Sequence, residues 1–172
     1  MSSVALVSVE EYLRQTEKPY REYIDGVLHA KAMPTLLHSL IQFALVALLR
    51  KRGLEAAQEL TVRLSGTKYL VPDVAAAHTL QGPYPTEPVL LCAEILSPDD
   101  RLGATLAKCE HYHTWGVPFC WVIDPEKQTA WQYHSGSEPE RVERGGILSA
   151  GEVNIPLEEL FSEQAPPVNS RP

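Results

Sequence analysis

Apolar positions along the chain recur with two different periods, and the two periods divide the sequence into helices and strands. The longest stretch with helical spacing runs from about Thr35 to Arg52, with Thr35 placed to cap it and Gly53 to end it. Its apolar side chains cover more than half of the helix circumference. The remaining arc carries polar residues, which are His38, Ser39, Gln42 and Arg50. Such a broad apolar face favours burial under a sheet, with a partner subunit on its flank.

Three shorter helices are predicted from caps and spacing. Ser8 and Glu11 have the spacing of a capping box, which indicates a helix that continues to about Gln15. A second helix is predicted from about Arg101 to Trp115, and a short closing helix near Leu157 to Phe161.

Strands are predicted where dense or alternating apolar runs are bounded by turn residues. Asp25-Gly26 is a strong hairpin signal, and it predicts that Tyr20–Ile24 pairs with Val27–Lys31. Val71–Ala77 and Val89–Leu96 are dense enough to be central strands that are covered on both faces. The other predicted strands are Glu55–Leu64, Val117–Ile123, Gln128–His134 and a weaker one near Arg141–Arg144.

This order of elements predicts a mixed α/β fold, with a central sheet flanked by helices and preceded by an N-terminal helix and hairpin. The 172 residues suffice for one domain with a hydrophobic core and are too few for two comfortable ones. We expect a single domain over residues 1–163 and a flexible, proline-rich tail over residues 164–172.

Charge and cysteine content narrow the class of protein. Lys and Arg total 15 against 22 acids, so the net charge of −7 argues against tight non-specific DNA binding but allows an enzyme that meets phosphate through a metal. Three cysteines without C-x-x-C spacing indicate reduced thiols. No signal peptide or membrane-spanning run is recognisable, so we expect a cytoplasmic protein without a membrane partner.

The most informative residues are two acids inside apolar strands. Asp73 is the only charge in its predicted strand, and Glu94 lies six residues into the next one. An unpaired buried carboxylate costs several kcal/mol, so each acid needs a cation, a shifted pKa or access to solvent. For either acid alone, a structural ion pair is as good an interpretation as a functional site. Two acids on neighbouring strands can instead converge on one Mg²⁺.

The helix that follows Glu94 supplies a third element. Arg101, Thr105, Lys108 and Tyr112 recur at helical spacing and form one polar stripe. By itself Lys108 would be a solvated surface lysine, but the helix begins shortly after Glu94 and can bring this stripe over the strand ends.

Glu22 and His38 are weaker candidates. Glu22 shares a face of the hairpin with Tyr20 and Ile24, which is an apolar setting for an acid, although an exposed edge-strand glutamate is an equal alternative. A histidine at the polar edge of a helix, such as His38, is more often structural than catalytic.

Five motifs occur in order along the chain, and together they resemble the Uma2 family, formerly DUF820. This family is grouped with the PD-(D/E)XK restriction-endonuclease-like superfamily, and the resemblance runs from about Val9 to Leu160. The motifs are Arg21–Gly26 (REYIDG), Val71–Val74 (VPDV), Ala93–Pro98 (AEILSP), Lys108–Val117 (KxxxYxxxGV) and Trp121–Pro125 (WVIDP).

The resemblance implies a restriction-endonuclease-like core and metal-dependent hydrolysis of DNA phosphodiester bonds. It implies Asp73 and Glu94 as metal ligands, Lys108 as the catalytic lysine and Glu22 as an additional acid. In the superfamily the lysine usually lies two residues after the second acid, but that position is Leu96 here.

The expected cofactor is Mg²⁺ or Mn²⁺, the expected substrate is DNA, and a homodimer would place two sites on two strands. Three further residues are candidates for contacting phosphate or supporting the site, which are His38, Tyr112 and Arg101. The alternative from a different class is a non-catalytic nucleic-acid-binding or regulatory module that retains the nuclease fold. A purely structural dimer built on the helix at Leu36–Leu49 is a third possibility.

Overall fold

The computed structural model describes residues 6–16 and 20–162. Within them the helices are α1 (Val9–Leu13), α2 (Leu36–Lys51), α3 (Leu102–Trp115) and α4 (Leu157–Ser162). Ser8 and Glu11 form the predicted capping box, because each side chain accepts a hydrogen bond from the backbone N–H of the other. Thr35 caps α2 through its side chain, and Gly116 ends α3 in the left-handed conformation. The four predicted helices are confirmed, with small shifts at their ends.

The strands described by the structure form three sheets, and the labels follow chain order. The central sheet consists, in spatial order, of β10 (Glu140–Val142), β9 (Thr129–His134), β8 (Phe119–Asp124), β7 (Leu91–Ile95), β6 (Val74–Ala77) and β3 (Glu55–Gln58). A second sheet consists of β2 (Val27–Ala30), β1 (Arg21–Ile24), β5 (Lys68–Leu70) and β4 (Val62–Ser65). The third is a hairpin of β11 (Ile147–Ala150) and β12 (Val153–Pro156).

The central sheet is mixed, since β7 and β8 are parallel while its other neighbours pair antiparallel. The parallel pair is joined through α3, as a crossover connection requires. Helices α2 and α3 pack on opposite faces. Alternate residues of β7 serve the two faces: Leu91 and Ala93 join the core under α2, and Cys92 joins the core under α3. This alternation sends the next residue, Glu94, to the α3 side.

The N-terminal hairpin lies beside one end of the central sheet. Asp25 and Gly26 both have positive φ, 48° and 90°, as a two-residue hairpin turn requires. Strand β1 also pairs with β5, which leads directly into the segment before β6. The hairpin therefore carries Glu22 and Lys31 to the start of β6.

Three details of the sequence-based strand assignment are wrong. The single strand predicted over Glu55–Leu64 is two strands in different sheets, because Glu59 adopts a φ of 50° and breaks the extended run. Strand β5 was missed because it is short and adjoins a denser apolar run. The hairpin of β11 and β12 was missed as well, although Gly151 turns it. The predicted tail lies outside the described residues.

None of the helices described by the structure is long and apolar enough to cross a membrane. The three cysteines lie buried in the layer between the central sheet and α3.

Candidate active site

Asp73 and Glu94 lie side by side at one end of the central sheet. Strands β6 and β7 are antiparallel neighbours, and Val74 is paired with Ala93, so the two acids sit one position beyond this pair. Both are buried, with 3% and 6% of their surface exposed. The predicted adjacency of the two acids is therefore present, and each must be compensated inside the protein.

Asp73 is held by one backbone donor and one cation. Its Oδ2 accepts a hydrogen bond of 2.7 Å from the backbone N–H of Ile95, and its Oδ1 lies 2.7 Å from Nζ of Lys31. Nε2 of His38 is 3.6 Å from the same Oδ1, too far for a good hydrogen bond but close enough for electrostatic attraction. Burial alone would raise the pKa of Asp73, but His38, Lys31 and Lys108 outweigh burial and hold this pKa well below its ordinary value.

Glu94 belongs to a second cluster on the α3 side of the sheet. Its Oε1 accepts a hydrogen bond of 2.8 Å from the Tyr112 hydroxyl and lies 2.8 Å from Nζ of Lys108. The same ammonium lies 2.6 Å from Oε1 of Glu22, which also accepts a hydrogen bond from the backbone N–H of Val71. Lys108 therefore bridges two buried carboxylates, each of which has a further donor.

Burial and neighbouring charges shift both partners of this cluster. Burial raises the pKa of Glu94 to about 7, because the opposing charge of Lys108 does not fully offset the loss of water and the nearby Asp73 and Glu22 carboxylates. Burial alone would lower the pKa of Lys108, but Glu94 and Glu22 outweigh it and hold this pKa above its ordinary value. The ammonium of Lys108 is thus charged at neutral pH.

The predicted polar stripe of α3 does lie over the strand ends. Arg101, Thr105 and Lys108 line the cavity above the two acids, whereas Tyr112 is fully buried beneath it and reaches the site only through Glu94. Arg101 is exposed, and its side chain makes no hydrogen bond or ion pair with the described residues.

Three residues of the site were not singled out from the sequence. Nζ of Lys31 contacts Asp73, lies 3.4 Å from Oε1 of Glu59 and donates to the Val71 carbonyl at 2.7 Å. The Gln42 amide donates to the same Glu59 oxygen at 3.1 Å and to the Asp73 carbonyl at 2.8 Å. The polar arc of α2 was a signal for Gln42. Lys31 and Glu59 carried no signal, because their partners are distant in sequence.

One group of side chains has the spacing of metal ligands. Among the described residues, His38, Glu59 and Asp73 each offer one ligand atom, and these atoms lie within 4.8 Å of one another. Carboxylate oxygens with an imidazole nitrogen form a donor set that suits a divalent ion. The group contains Asp73 of the predicted pair and lacks Glu94, whose Oε1 is engaged by Lys108 and Tyr112. No described residue donates to the second oxygen of Glu94, which leaves it free for a ligand.

These residues surround an open cavity of about 450 Å³. The predicted residues that line it are Glu22, His38, Asp73, Glu94, Arg101 and Lys108. Its acids are Glu22, Glu59, Asp73, Glu94 and Asp100, and its lysines and arginine are Lys31, Arg101 and Lys108. Because acids outnumber cations in this wall, a phosphate would meet net repulsion unless a further cation is bound.

Comparison with known protein families identifies the family to which this chain belongs. The Uma2 family, described as "Putative restriction endonuclease", matches residues 9–165. The chain belongs to the Uma2 family. The match spans the five motifs and confirms the resemblance found in the sequence. Family and fold together support a nuclease, and the His38, Glu59 and Asp73 group could bind the divalent metal that such nucleases usually need.

One solved structure agrees with the family assignment. This Uma2 chain is similar to the crystal structure of a "putative nuclease belonging to DUF820" from Anabaena variabilis, with 26% identity and a TM-score of 0.78. That match covers 91% of this chain and 98% of the other, and it confirms the predicted fold class. A second match, to a DrdV–DNA complex solved by cryo-electron microscopy, has 21% identity and a TM-score of 0.45. It covers 70% of this chain and 10% of the other. Among curated proteins, no match was found.

Proposed function

We propose that this Uma2 protein is a metal-dependent endonuclease that hydrolyses DNA phosphodiester bonds by a PD-(D/E)XK-type mechanism. The observation that carries the proposal is the position of Asp73 and Glu94, which are adjacent and buried at the base of an open cavity, with Lys108 beside them. Protein interiors rarely place two carboxylates this close unless a cation or a reaction uses them.

The acidic cavity supports a requirement for Mg²⁺ or Mn²⁺. His38, Glu59 and Asp73 would hold the ion, and we propose the second oxygen of Glu94 as a further ligand. Asp73 is well suited to this role because its low pKa keeps it ionised and its bond to the Ile95 N–H fixes its orientation. A divalent ion bound there would polarise the phosphate and lower the pKa of a bound water.

Lys108 acts electrostatically in this proposal. A lysine that serves as a general base must lose its proton near neutral pH, but Glu22 and Glu94 hold the proton on Lys108. The ammonium instead stabilises the negative charge that develops on the phosphate during hydrolysis. Glu22 and Tyr112 are positioning residues, since Glu22 contacts Lys108 and Tyr112 contacts Glu94.

Arg101 would contact the substrate, whereas His38 would bind the metal. Arg101 lines the cavity at the start of α3 and has an exposed guanidinium, so it can receive a phosphate that approaches from solvent. His38 is buried beside Asp73, which favours a role as a ligand over the phosphate contact expected from the sequence.

Cleavage of supercoiled plasmid tests this proposal. We expect the native protein to nick plasmid with Mg²⁺ or Mn²⁺, and we expect EDTA and Asp73→Asn each to abolish nicking. The matched control is Asp124→Asn, because Asp124 is also a buried strand acid paired with a lysine but lies outside the cavity. Equal nicking by native protein and Asp73→Asn would show that the site is misplaced.

The acid-rich cavity and the net charge of −7 also favour a second candidate, the non-catalytic module. It predicts metal binding that depends on Asp73 but no nicking of single-stranded, duplex or supercoiled DNA. The plasmid assay combined with a metal titration separates the two candidates.

We also propose that the protein acts as a homodimer through α2. Leu36, Leu40 and Phe43 recur at helical spacing along one face of this helix, and all three are exposed. Neighbouring Met33 extends the apolar surface to the edge of the cavity. In sedimentation experiments we expect a dimer for the native protein and a monomer for Phe43→Glu. Ile147→Glu, which changes an exposed apolar residue elsewhere, should remain dimeric.

A further inference from the structure

Lys31 stands out because its ammonium lies between residues that have the spacing of metal ligands. The lysine follows β2 directly, and its Nζ lies 2.7 Å from Asp73 and 3.4 Å from Glu59. Its side chain is only 12% exposed. Glu59 and Asp73 are also two of the three residues, with His38, whose ligand atoms converge within 4.8 Å. The single positive charge of Lys31 is therefore placed to balance the carboxylates that would hold a divalent ion.

A metal ion and this ammonium compete for the same carboxylates. An ion coordinated by Asp73 and Glu59 would share with Lys31 the carboxylates that the ammonium now contacts, and it would repel the ammonium at contact distance. We propose that Lys31 is the resident cation of the site, which holds the metal ligands together in the metal-free protein and is displaced when a divalent ion binds. This inference rests on the proposed metal site but not on hydrolysis of DNA.

The other buried lysine would not be displaced in this way. Lys108 contacts Glu22 and Oε1 of Glu94, so an ion bound by the His38, Glu59 and Asp73 group, even with the other oxygen of Glu94, leaves these two contacts in place. Lys31 already lines the cavity, so its released ammonium would face the space in which the substrate phosphate is bound. Displacement thus frees Lys31 from Asp73 and leaves its ammonium facing the cavity.

Mn²⁺ titration of the metal-free protein, followed by electron paramagnetic resonance, tests the competition. We expect Lys31→Met to bind Mn²⁺ at least tenfold more tightly than the native protein, because no ammonium has to be displaced. Lys51→Met is the matched control, since it removes the same charge from an exposed position at the end of α2. Its Mn²⁺ affinity should equal that of the native protein. Equal or weaker binding by Lys31→Met would overturn the proposal.

A measurement on the native protein covers the case in which Lys31→Met does not fold. Acetylation of lysines with and without saturating Mn²⁺, read by mass spectrometry, should show labelling of Lys31 rising several-fold with the ion while Lys108 stays protected. Unchanged labelling of Lys31 with Mn²⁺ bound would contradict displacement, as would a native protein that binds no Mn²⁺. Displacement by Mn²⁺ in a protein that never nicks plasmid would leave this inference standing and reject the nuclease.

Discussion

The cavity has two halves that contain the same kinds of charged group but differ in how closely the lysine contacts its two carboxylates. The Asp73 half consists of Lys31, His38, Glu59 and Asp73, and the Lys108 half consists of Glu22, Glu94, Lys108 and Tyr112. In each half a lysine bridges two carboxylates. In each half both carboxylates also accept a further hydrogen bond, from the Ile95 N–H and the Gln42 amide in the Asp73 half and from the Val71 N–H and the Tyr112 hydroxyl in the Lys108 half. The halves differ in the contacts of their lysines, which are 2.7 and 3.4 Å for Lys31 but 2.6 and 2.8 Å for Lys108.

This difference indicates that the two halves of the cavity have different roles. The Asp73 half contains an imidazole and two carboxylates at ligand spacing, so its lysine occupies a place that another cation can take. The Lys108 half offers no comparable group among the described residues, and its ammonium is fixed by two short contacts. We therefore expect the first half to exchange cations and the second to present a permanent positive charge. Four experiments, in order of decreasing expected effect, test this separation.

The largest effect is expected from removing the fixed charge. Lys108→Met should lower the rate of plasmid nicking by about 10²–10³-fold, the usual range for losing one electrostatic contact to a transition state. Mn²⁺ affinity should be retained, because the Asp73 half is intact. Nicking rates at saturating Mn²⁺ and a parallel titration measure both, with Lys127→Met as the surface control. Loss of Mn²⁺ binding would show that the halves are not separate.

The two halves should respond to pH in opposite directions. Glu94 has a raised pKa, so its stabilising contribution is complete below the ordinary value of 4.5 and is lost as pH rises toward about 7. Asp73 has a lowered pKa, so its contribution is present above 3.8 and is lost as pH falls below that value. Urea denaturation in EDTA should show the free energy of unfolding falling between pH 4.5 and 7 by an amount on the order of a few kcal/mol.

Glu94→Gln isolates the contribution of Glu94 to this pH dependence of the free energy of unfolding. It should flatten the pH dependence between pH 4.5 and 7 while leaving the loss of stability below pH 3.8 unchanged. An identical slope in native protein and variant would assign the titration to other groups.

A smaller effect is expected at the hydroxyl that orients Glu94. Tyr112→Phe should lower the free energy of unfolding by about 1–2 kcal/mol, because a buried hydrogen bond to a carboxylate is lost while Lys108 still contacts Glu94. Urea denaturation at pH 7 measures this change. Tyr133→Phe is the control, since the Tyr133 hydroxyl makes no hydrogen bond to the described residues. Equal losses in the free energy of unfolding for the two variants would show that the Tyr112 hydroxyl does not stabilise Glu94.

The smallest effect is expected at the cavity entrance. Arg101→Gln should raise KM for plasmid roughly two- to fivefold with little change in kcat, because an exposed charge contributes less than about 1 kcal/mol. The exposed Arg144, changed to Gln, controls for net charge. A fall in kcat instead would mean that Arg101 acts on the reacting phosphate.

The sequence was informative wherever a charge interrupted an apolar run. Asp73 and Glu94 were recognisable because their strands contain no other charge, and the helical spacing of α3 then brought Lys108 to them. These inferences depend only on periodicity and the cost of burying a charge, which are local properties. The fold class followed from the same periodicity.

The Asp73 half could not be assembled in this way. Lys31 meets Asp73 across 42 positions of sequence, and nothing around Lys31 distinguishes it from a lysine at the end of an exposed hairpin. Glu59 was hidden for the same reason, since its partners Lys31 and Gln42 are also distant in sequence. The contacts of Lys31 with Glu59 and Asp73 exist only after the hairpin has docked.

The left-handed backbone at Glu59 has a consequence for engineering. A glutamate with φ of 50° is strained relative to glycine, so Glu59→Gly would be a natural choice in a search for greater heat resistance. The same replacement removes a carboxylate from the converging group and a partner from both Lys31 and Gln42. Selection for thermal stability alone would therefore tend to replace Glu59, whereas selection for turnover would restore the glutamate.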